Sequence, residues 1–342
     1  MKLTQIEKDA FKNKILLSVD SHKNDLVQYS IDNLGLSHNT ITKYINELIN
    51  DKNLLRLNKG RYTAYSLPAE KKDFSYKRMN IESEDSVWIK DVFPFIGTVS
   101  KQLEGIMDYS FLEMMNNALE HSEADNIKVM VSKTFTMIKI CIIDDGVGIF
   151  KKIQTSLNLD LPSQALVELA KGKFTSSPEN HSGEGIFFSS KMCDEFYIFS
   201  DGLCFSGINS SGNNIEIPEF NKGTAVLLVF ERNTTKSTDQ IYAEYAGTDY
   251  DEPKFKTVVP LKIMLQEGTG SVLTSRSQAR RLVTRFDKFD EVNLDFSEVD
   301  FVGQAFADEV FRVYASKHPE IIIKAINANH AILNTLKHVL RD

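Results

Sequence analysis

From Tyr109 to Ser122 the chain reads YSFLEMMNNALEHS. At about 100° per residue, Phe111, Leu112, Met115, Ala118 and Leu119 share one face of a helix, and Glu113, Asn116, Asn117 and Glu120 the other. Glu113 and Asn117 are four residues apart, so their side chains lie one above the other. A carboxylate stacked on a carboxamide can activate a water and hold a hydrated divalent cation. The outer face of an ordinary surface helix has the same pattern.

The same periodicities predict three further regions. At the start, apolar Phe11, Ile15, Leu16 and Val19 mark a helix over 6–19, and 26–33 reads as a second, stopped at Gly35. Ser37 is placed to cap a third helix, running to about Asn50, with Ile41, Ile45, Leu48 and Ile49 inside. Its outer face carries His38, Asn39, Thr40, Thr42, Lys43 and Tyr44, donors and acceptors of the kind that reach base edges and phosphates. Residues 54–67 read as a hairpin turning at Asn58-Lys59-Gly60, with Arg56, Lys59 and Arg61 around its tip. Residues 69–99 follow as a charged linker and lead-in, in which Trp88, the one tryptophan, has a packing role.

Beyond the central helix, 127–132 and 137–143 are strands, the second ending in Asp144-Asp145-Gly146-Val147-Gly148. These glycines suit a tight turn. They equally let backbone approach a flat ligand, with Asp144 accepting a hydrogen bond from an exocyclic amine. A polar stretch over 151–180 holds one amphipathic helix, 164–170. Gly183 and Gly185 then precede a helix whose first amides are free to meet phosphate. Gly223-Thr224 opens a strand over 225–230. Residues 233–256 read as a second linker, and 257–342 alternate strand and helix as a small α/β layer. There Ser275 caps a helix over 276–286, 321–325 is a buried strand, and 332–340 is the last helix. The arginines of SRSQARRL form either a solvated face or a contact with the preceding domain or a partner.

Composition adds little to this except in its distribution. The net charge of −7 excludes a general polycation, but residues 1–68 carry +3, leaving −10 for the rest. No signal-peptide pattern opens the chain, and no apolar run approaches a membrane span, so no membrane partner is expected. Cys141, Cys193 and Cys204 are odd in number and not spaced as metal ligands, which points to a reducing, cytoplasmic setting.

Three resemblances follow from these stretches. LSHNTITKYINELINDKNLL and the basic hairpin after it resemble a winged helix-turn-helix. That implies contact with double-stranded DNA through Ser37, His38, Asn39, Thr40, Thr42, Lys43, Arg56, Lys59 and Arg61; winged helices also serve as protein-docking modules. ExxxNA, DxGxG, a lid ending in GxG, and GT before a strand, in this order over 100–232, resemble the GHKL ATPases: gyrase, the heat-shock chaperone, histidine kinases and MutL. That resemblance implies ATP and Mg²⁺ as cofactors. Asn117 would coordinate the metal and Glu113 would be the general base. Asp144 would read the adenine amine, Gly146 and Gly148 would shape the pocket floor, Gly183 and Gly185 would offer amides to phosphate, and Thr224 would support the adenine side. Lys173 would either reach the terminal phosphate or stay solvated. LDFSEVDFVGQAFADEVF resembles the STAS-like domains fused to such modules, which implies a protein partner.

The departures narrow the reading. No histidine lies between 69 and 108, so a histidine autokinase is not expected, and Val302-Gly303-Gln304-Ala305 carries no hydroxyl where STAS antagonists are phosphorylated. The expectation is an α+β multidomain protein: winged helix 1–68, linker 69–99, GHKL sandwich (Bergerat fold) 100–232, linker 233–256, STAS-like domain 257–342. It would couple nucleotide state to DNA or partner binding, with a homodimer as the assembly that two half-sites call for. The alternatives are a serine kinase of the anti-sigma type and an ATP-dependent protein-interaction switch without DNA.

Overall fold

A computed structural model of the chain describes residues 4–58, 60–173, 183–207, 209–210, 219–246, 255–265 and 272–340, with the Arg61 side chain left out. Lys59, residues 174–182 of the expected lid and 247–254 of the second expected linker lie outside the described residues. The protein is α+β.

Helices α1 (Gln5–Ser18), α2 (Leu26–Leu34) and α3 (His38–Asn50) pack around Ile15, Leu26, Ile41, Ile45 and Leu48. Gly35 ends α2 in the left-handed conformation, and the Ser37 hydroxyl accepts the Thr40 amide at the start of α3. Strands β1 (Leu55–Arg56) and β2 (Tyr65–Ser66) pair antiparallel around a turn at Gly60–Tyr62. Tyr44, read as an outward residue, is 3% exposed: it lies one turn from both Ile41 and Leu48, on the inner face.

The centre is a six-stranded antiparallel sheet: β3 (Glu70–Lys77), β4 (Asn126–Lys133), β5 (Met137–Asp144), β8 (Thr224–Glu231), β6 (Glu195–Ser200) and β7 (Leu203–Ser206), in that spatial order. Residues 70–77, expected as linker, are therefore an edge strand, paired along its whole length with β4. A helical run follows: α4 (Glu84–Val87), a wide turn at Trp88–Val92, and α5 (Phe93–Ile96). Trp88 packs on Phe93 and Phe111, as its packing role required. Helix α6 (Lys101–Glu120) crosses the sheet and starts eight residues before the stretch that revealed it, capped by Ser100. It buries Met114 as well as Phe111, Met115 and Ala118, because it is covered on more than one side. Helices α7 (Ile149–Leu157), α8 (Gln164–Lys171), α9 (Gly185–Met192) and α10 (Thr238–Tyr245) complete this layer. α10 occupies part of the second expected linker and sets Tyr242 against Tyr109 and Phe188.

The C-terminal unit has a parallel three-stranded sheet in the order β13 (Ile322–Ile326), β11 (Glu291–Asp295), β9 (Lys256–Pro260). A short turn of helix, α11 (Lys262–Leu265), follows β9. β10 (Val272–Leu273) pairs in parallel with β12 (Phe301–Val302). Helices α12 (Arg276–Val283), α13 (Gln304–Asp308), α14 (Ala315–Lys317) and α15 (His330–Val339) pack against these strands, with a wide helical turn at Glu309–Tyr314 joining α13 to α14. Ser275 caps α12 in a full capping box with Gln278. β13, expected as buried, is a half-exposed edge strand. The apolar cores of the central and C-terminal units are continuous, whereas α1–α3 form their own. Among the described residues, no helix is long and apolar enough to cross a membrane.

Candidate functional site

A cavity of about 320 Å³ opens between α6 and the sheet, a volume typical of small-molecule sites. Four separated stretches of sequence line it. From α6 come Glu113, Asn116 and Asn117; from the end of β5 and the start of α7, Asp144, Gly148 and Lys152; from the start of α9, Gly183, Glu184 and Gly185; from β8, Thr224.

Asp144 is the last residue of β5 and is 5% exposed. Its Oδ1 accepts the amides of Gly146 at 2.9 Å and Thr224 at 3.3 Å. The Thr224 hydroxyl accepts the Ile149 amide at 3.1 Å, so one threonine ties β8 to both the carboxylate and the first turn of α7. Burial pushes the Asp144 carboxyl up to about 6, against the lowering effect of those amides. Its neighbour Asp145 faces away and has a different task. It accepts the amides of Asp125 and Asn126 and the Asn126 carboxamide, fixing the start of β4.

The loop geometry explains the glycines. A Cβ on Gly146 would run into the carbonyl oxygen of Ser122, which already accepts the Val147 amide at 2.9 Å. A Cβ on Gly185 would run into Glu113 Oε2, so the Glu113 carboxylate lies directly against the start of α9. Gly183 has φ +72 just before it. His121 closes α6 as its C-cap, and its carbonyl accepts from Lys152 Nζ at 2.6 Å.

The structure thus brings Glu113, Asn117, Asp144, Gly148, Gly183, Gly185 and Thr224 to one cavity; Gly146, expected on its floor, does not line it and instead packs behind it against Ser122 and Asp144. Lys173 is not in the cavity lining: its ammonium sits over the Phe255 ring and 3.7 Å from Glu184. Lys152 and Glu184 line the cavity and were assigned no role from the sequence, and Gly223, read only as part of the GT pair, packs against the backbone of Asp144 and Gly146. For Gly223 the signal was present, since it immediately precedes Thr224; Lys152 and Glu184 offered none beyond their charge. Among the described residues, no three His, Cys, Asp or Glu side chains group to hold a metal ion.

On α3, His38, Asn39 and Lys43 are exposed and Thr40 and Thr42 half-exposed. The hydroxyls of Ser37 and Thr40 share a hydrogen bond, and Lys43 lies 3.9 Å from Glu47. Arg56 reaches back to Asn46 on α3 at 3.0 Å, so the β1–β2 arm and the helix present one continuous surface.

Compared with protein-family models, residues 278–333 match the STAS-like domain of unknown function (DUF4325). The match spans α12 to the first half of α15. Compared with curated proteins, the chain matches none.

Proposed function

We propose that the protein is an ATP-binding regulator: a GHKL-type nucleotide domain between a winged helix that binds DNA and a STAS-like domain that engages a protein partner. One observation carries the nucleotide reading. The ordered boxes ExxxNA, DxGxG, GxG and GT, spread over the middle of the sequence, converge on a single cavity. In this reading the adenine amine donates to Asp144, the glycine turn lies under the base, and the phosphates meet the amides at Gly183 and Gly185 at the start of α9. The donor set would suit a Mg²⁺ held mainly by phosphates and water, because Asn117 offers a neutral amide oxygen in the cavity and, among the described residues, no carboxylate cluster could hold the ion by itself. Mg²⁺, when bound, would neutralise phosphate charge; Asn117 is the side chain that would hold it, and Glu113 the one that would take a proton from water.

The test is calorimetric titration with ATP and Mg²⁺. Asp144→Asn replaces a carboxylate oxygen by an NH₂ facing the amine, at an expected cost of about 1–3 kcal/mol, or roughly ten- to a hundredfold in affinity. Unchanged affinity in a folded variant would remove Asp144 from the base site. The pH dependence has a definite sign. The buried carboxyl keeps its proton up to about 6 and the unfolded chain does not, so this group costs stability as pH rises through that window. An amine donor favours the carboxylate, so nucleotide affinity is expected to rise through about pH 6 and level off above it.

The link to DNA is tested separately. A single winged helix reads one half-site, so useful affinity calls for two copies at fixed spacing. If ATP state sets how two α3 helices are presented, a non-hydrolysable ATP analogue is expected to change DNA affinity by about five- to 150-fold at fixed salt. Equal affinities with and without bound analogue would separate the two ends.

A further inference from the structure

Lys171, Gly172 and Lys173 leave α8 on the phosphate side of the cavity, and the C-terminal unit holds all three. The Lys171 side chain is fully buried. Its Nζ donates to Glu168 Oε1 at 2.6 Å and to the carbonyls of Arg281 and Thr284, both at 3.0 Å. Its own carbonyl accepts from the Thr257 hydroxyl at 2.8 Å. Arg285 completes the grip, with Nη1 donating to Glu168 Oε2 at 2.9 Å and Nη2 to the carbonyls of Gly172 at 3.3 Å and Lys173 at 2.6 Å. These carbonyls have left the helix ladder, and the planar fork of a guanidinium serves carboxylate and backbone together in a way an ammonium does not. Arg285 itself has φ +65, a conformation uncommon for a residue with a side chain.

On its other side the same corner touches α9. The Phe187 ring covers Gly172 so closely that a Cβ there would meet it, and Lys173 Nζ lies 3.7 Å from Glu184. Glu184 is the N-cap of α9, and the next residue, Gly185, abuts Glu113. A continuous chain of contacts therefore leads from Arg285 to the phosphate end of the cavity. None of these contacts involves Asp144 or Thr224.

We propose that Arg285 is a positioning residue of the STAS-like domain, which fixes the Lys171–Lys173 corner and through Phe187 and Glu184 sets the first turn of α9, so that this domain tunes affinity for the phosphates of a nucleotide and not for its base. The proposal rests on the nucleotide reading above. It makes the C-terminal unit a regulator of the site in both directions: whatever shifts Arg285 alters phosphate affinity, and bound phosphates bias Arg285 by the same factor.

The experiment uses the full chain and two ligands, ATP with Mg²⁺ and adenosine. Wild type, Arg285→Lys and Thr257→Val are titrated with each, after thermal melts show that each is folded. Arg285→Lys keeps the charge beside Glu168 and loses the fork. Thr257→Val removes only the hydroxyl on the Lys171 carbonyl and decides the matter if Arg285→Lys does not fold. The expected result is an ATP affinity about tenfold lower in Arg285→Lys, a smaller loss in the same direction in Thr257→Val, and adenosine affinity unchanged in both. Equal losses for ATP and adenosine, as a merely structural role would give, or no loss for either, would overturn the positioning role and leave the nucleotide site standing. A wild type that binds neither ligand would overturn both.

Discussion

Glu113→Ala is expected to lower phosphate release by about 10²–10⁴-fold while ATP still binds, the usual worth of a general base. The geometry sets this expectation. Glu113 lines the cavity one helical turn before Asn117, and its Oε2 lies against Gly185, where α9 begins. A water between that carboxylate and a phosphate seated on the α9 amides would be placed for attack. Alanine keeps helix propensity, so α6 should persist. Asn117→Ala is expected to behave differently and weaken Mg²⁺-dependent binding itself, since it removes the neutral oxygen ligand. Phosphate release followed with calorimetric binding separates the two effects. Equal release by wild type and Glu113→Ala would take Glu113 out of the chemistry. No release by wild type would leave a nucleotide sensor.

Gly223→Ala is expected to cost about 2–5 kcal/mol of folding stability, combining a disfavoured left-handed backbone with overpacking. Gly223 has φ +88. A Cβ there would run into the carbonyl oxygen of Asp144 and come within 2.7 Å of the Gly146 amide nitrogen. Both obstacles are backbone, so no rotamer change relieves them. The Gly223 carbonyl also accepts the Ser200 hydroxyl at 2.8 Å, which pins it from the β6 side. The variant should lose nucleotide affinity along with stability, because Asp144 and Gly146 are the groups displaced. Urea unfolding gives the first quantity and titration the second; an unchanged midpoint would show that the two loops move apart freely.

The convergence of the central boxes was legible because each is a short run with its own spacing signal: i to i+4 on a helix, glycines at a strand end, glycines before a helix. What spacing could not show is what lies beside them. β3 has only Phe74 buried and presents charges elsewhere, so an edge strand with one bare face reads as a charged linker. β6 is a run of FYIFS, buried at nearly every position, and a short apolar run has no period to distinguish strand from helix. α10 lies in a polar stretch and is positioned by Tyr242 and Tyr245, whose partners on α6 and α9 are distant in sequence. Lys173 illustrates the limit most directly. Its place next to the expected lid suggested either a phosphate contact or a solvated side chain, and the spacing gave no sign of Phe255, distant in sequence, over whose ring its ammonium sits while facing Glu184. Arg285 lies beyond SRSQARRL and past the end of α12, in the left-handed conformation, and its charge alone gives no sign that its side chain turns inward.

The outer edge of β3 bears on assembly. An unpaired strand edge is a template on which another chain can extend the sheet, and charged side chains are a common defence against it. Glu70, Lys71, Lys72 and Asp73 stand exposed on this edge. A second copy approaching there in antiparallel register would have to bring its own lysines and acids into the same narrow strip and strip them of water. Growth of the sheet across that border is therefore discouraged, and two chains that come together are not expected to zip backbone to backbone along β3.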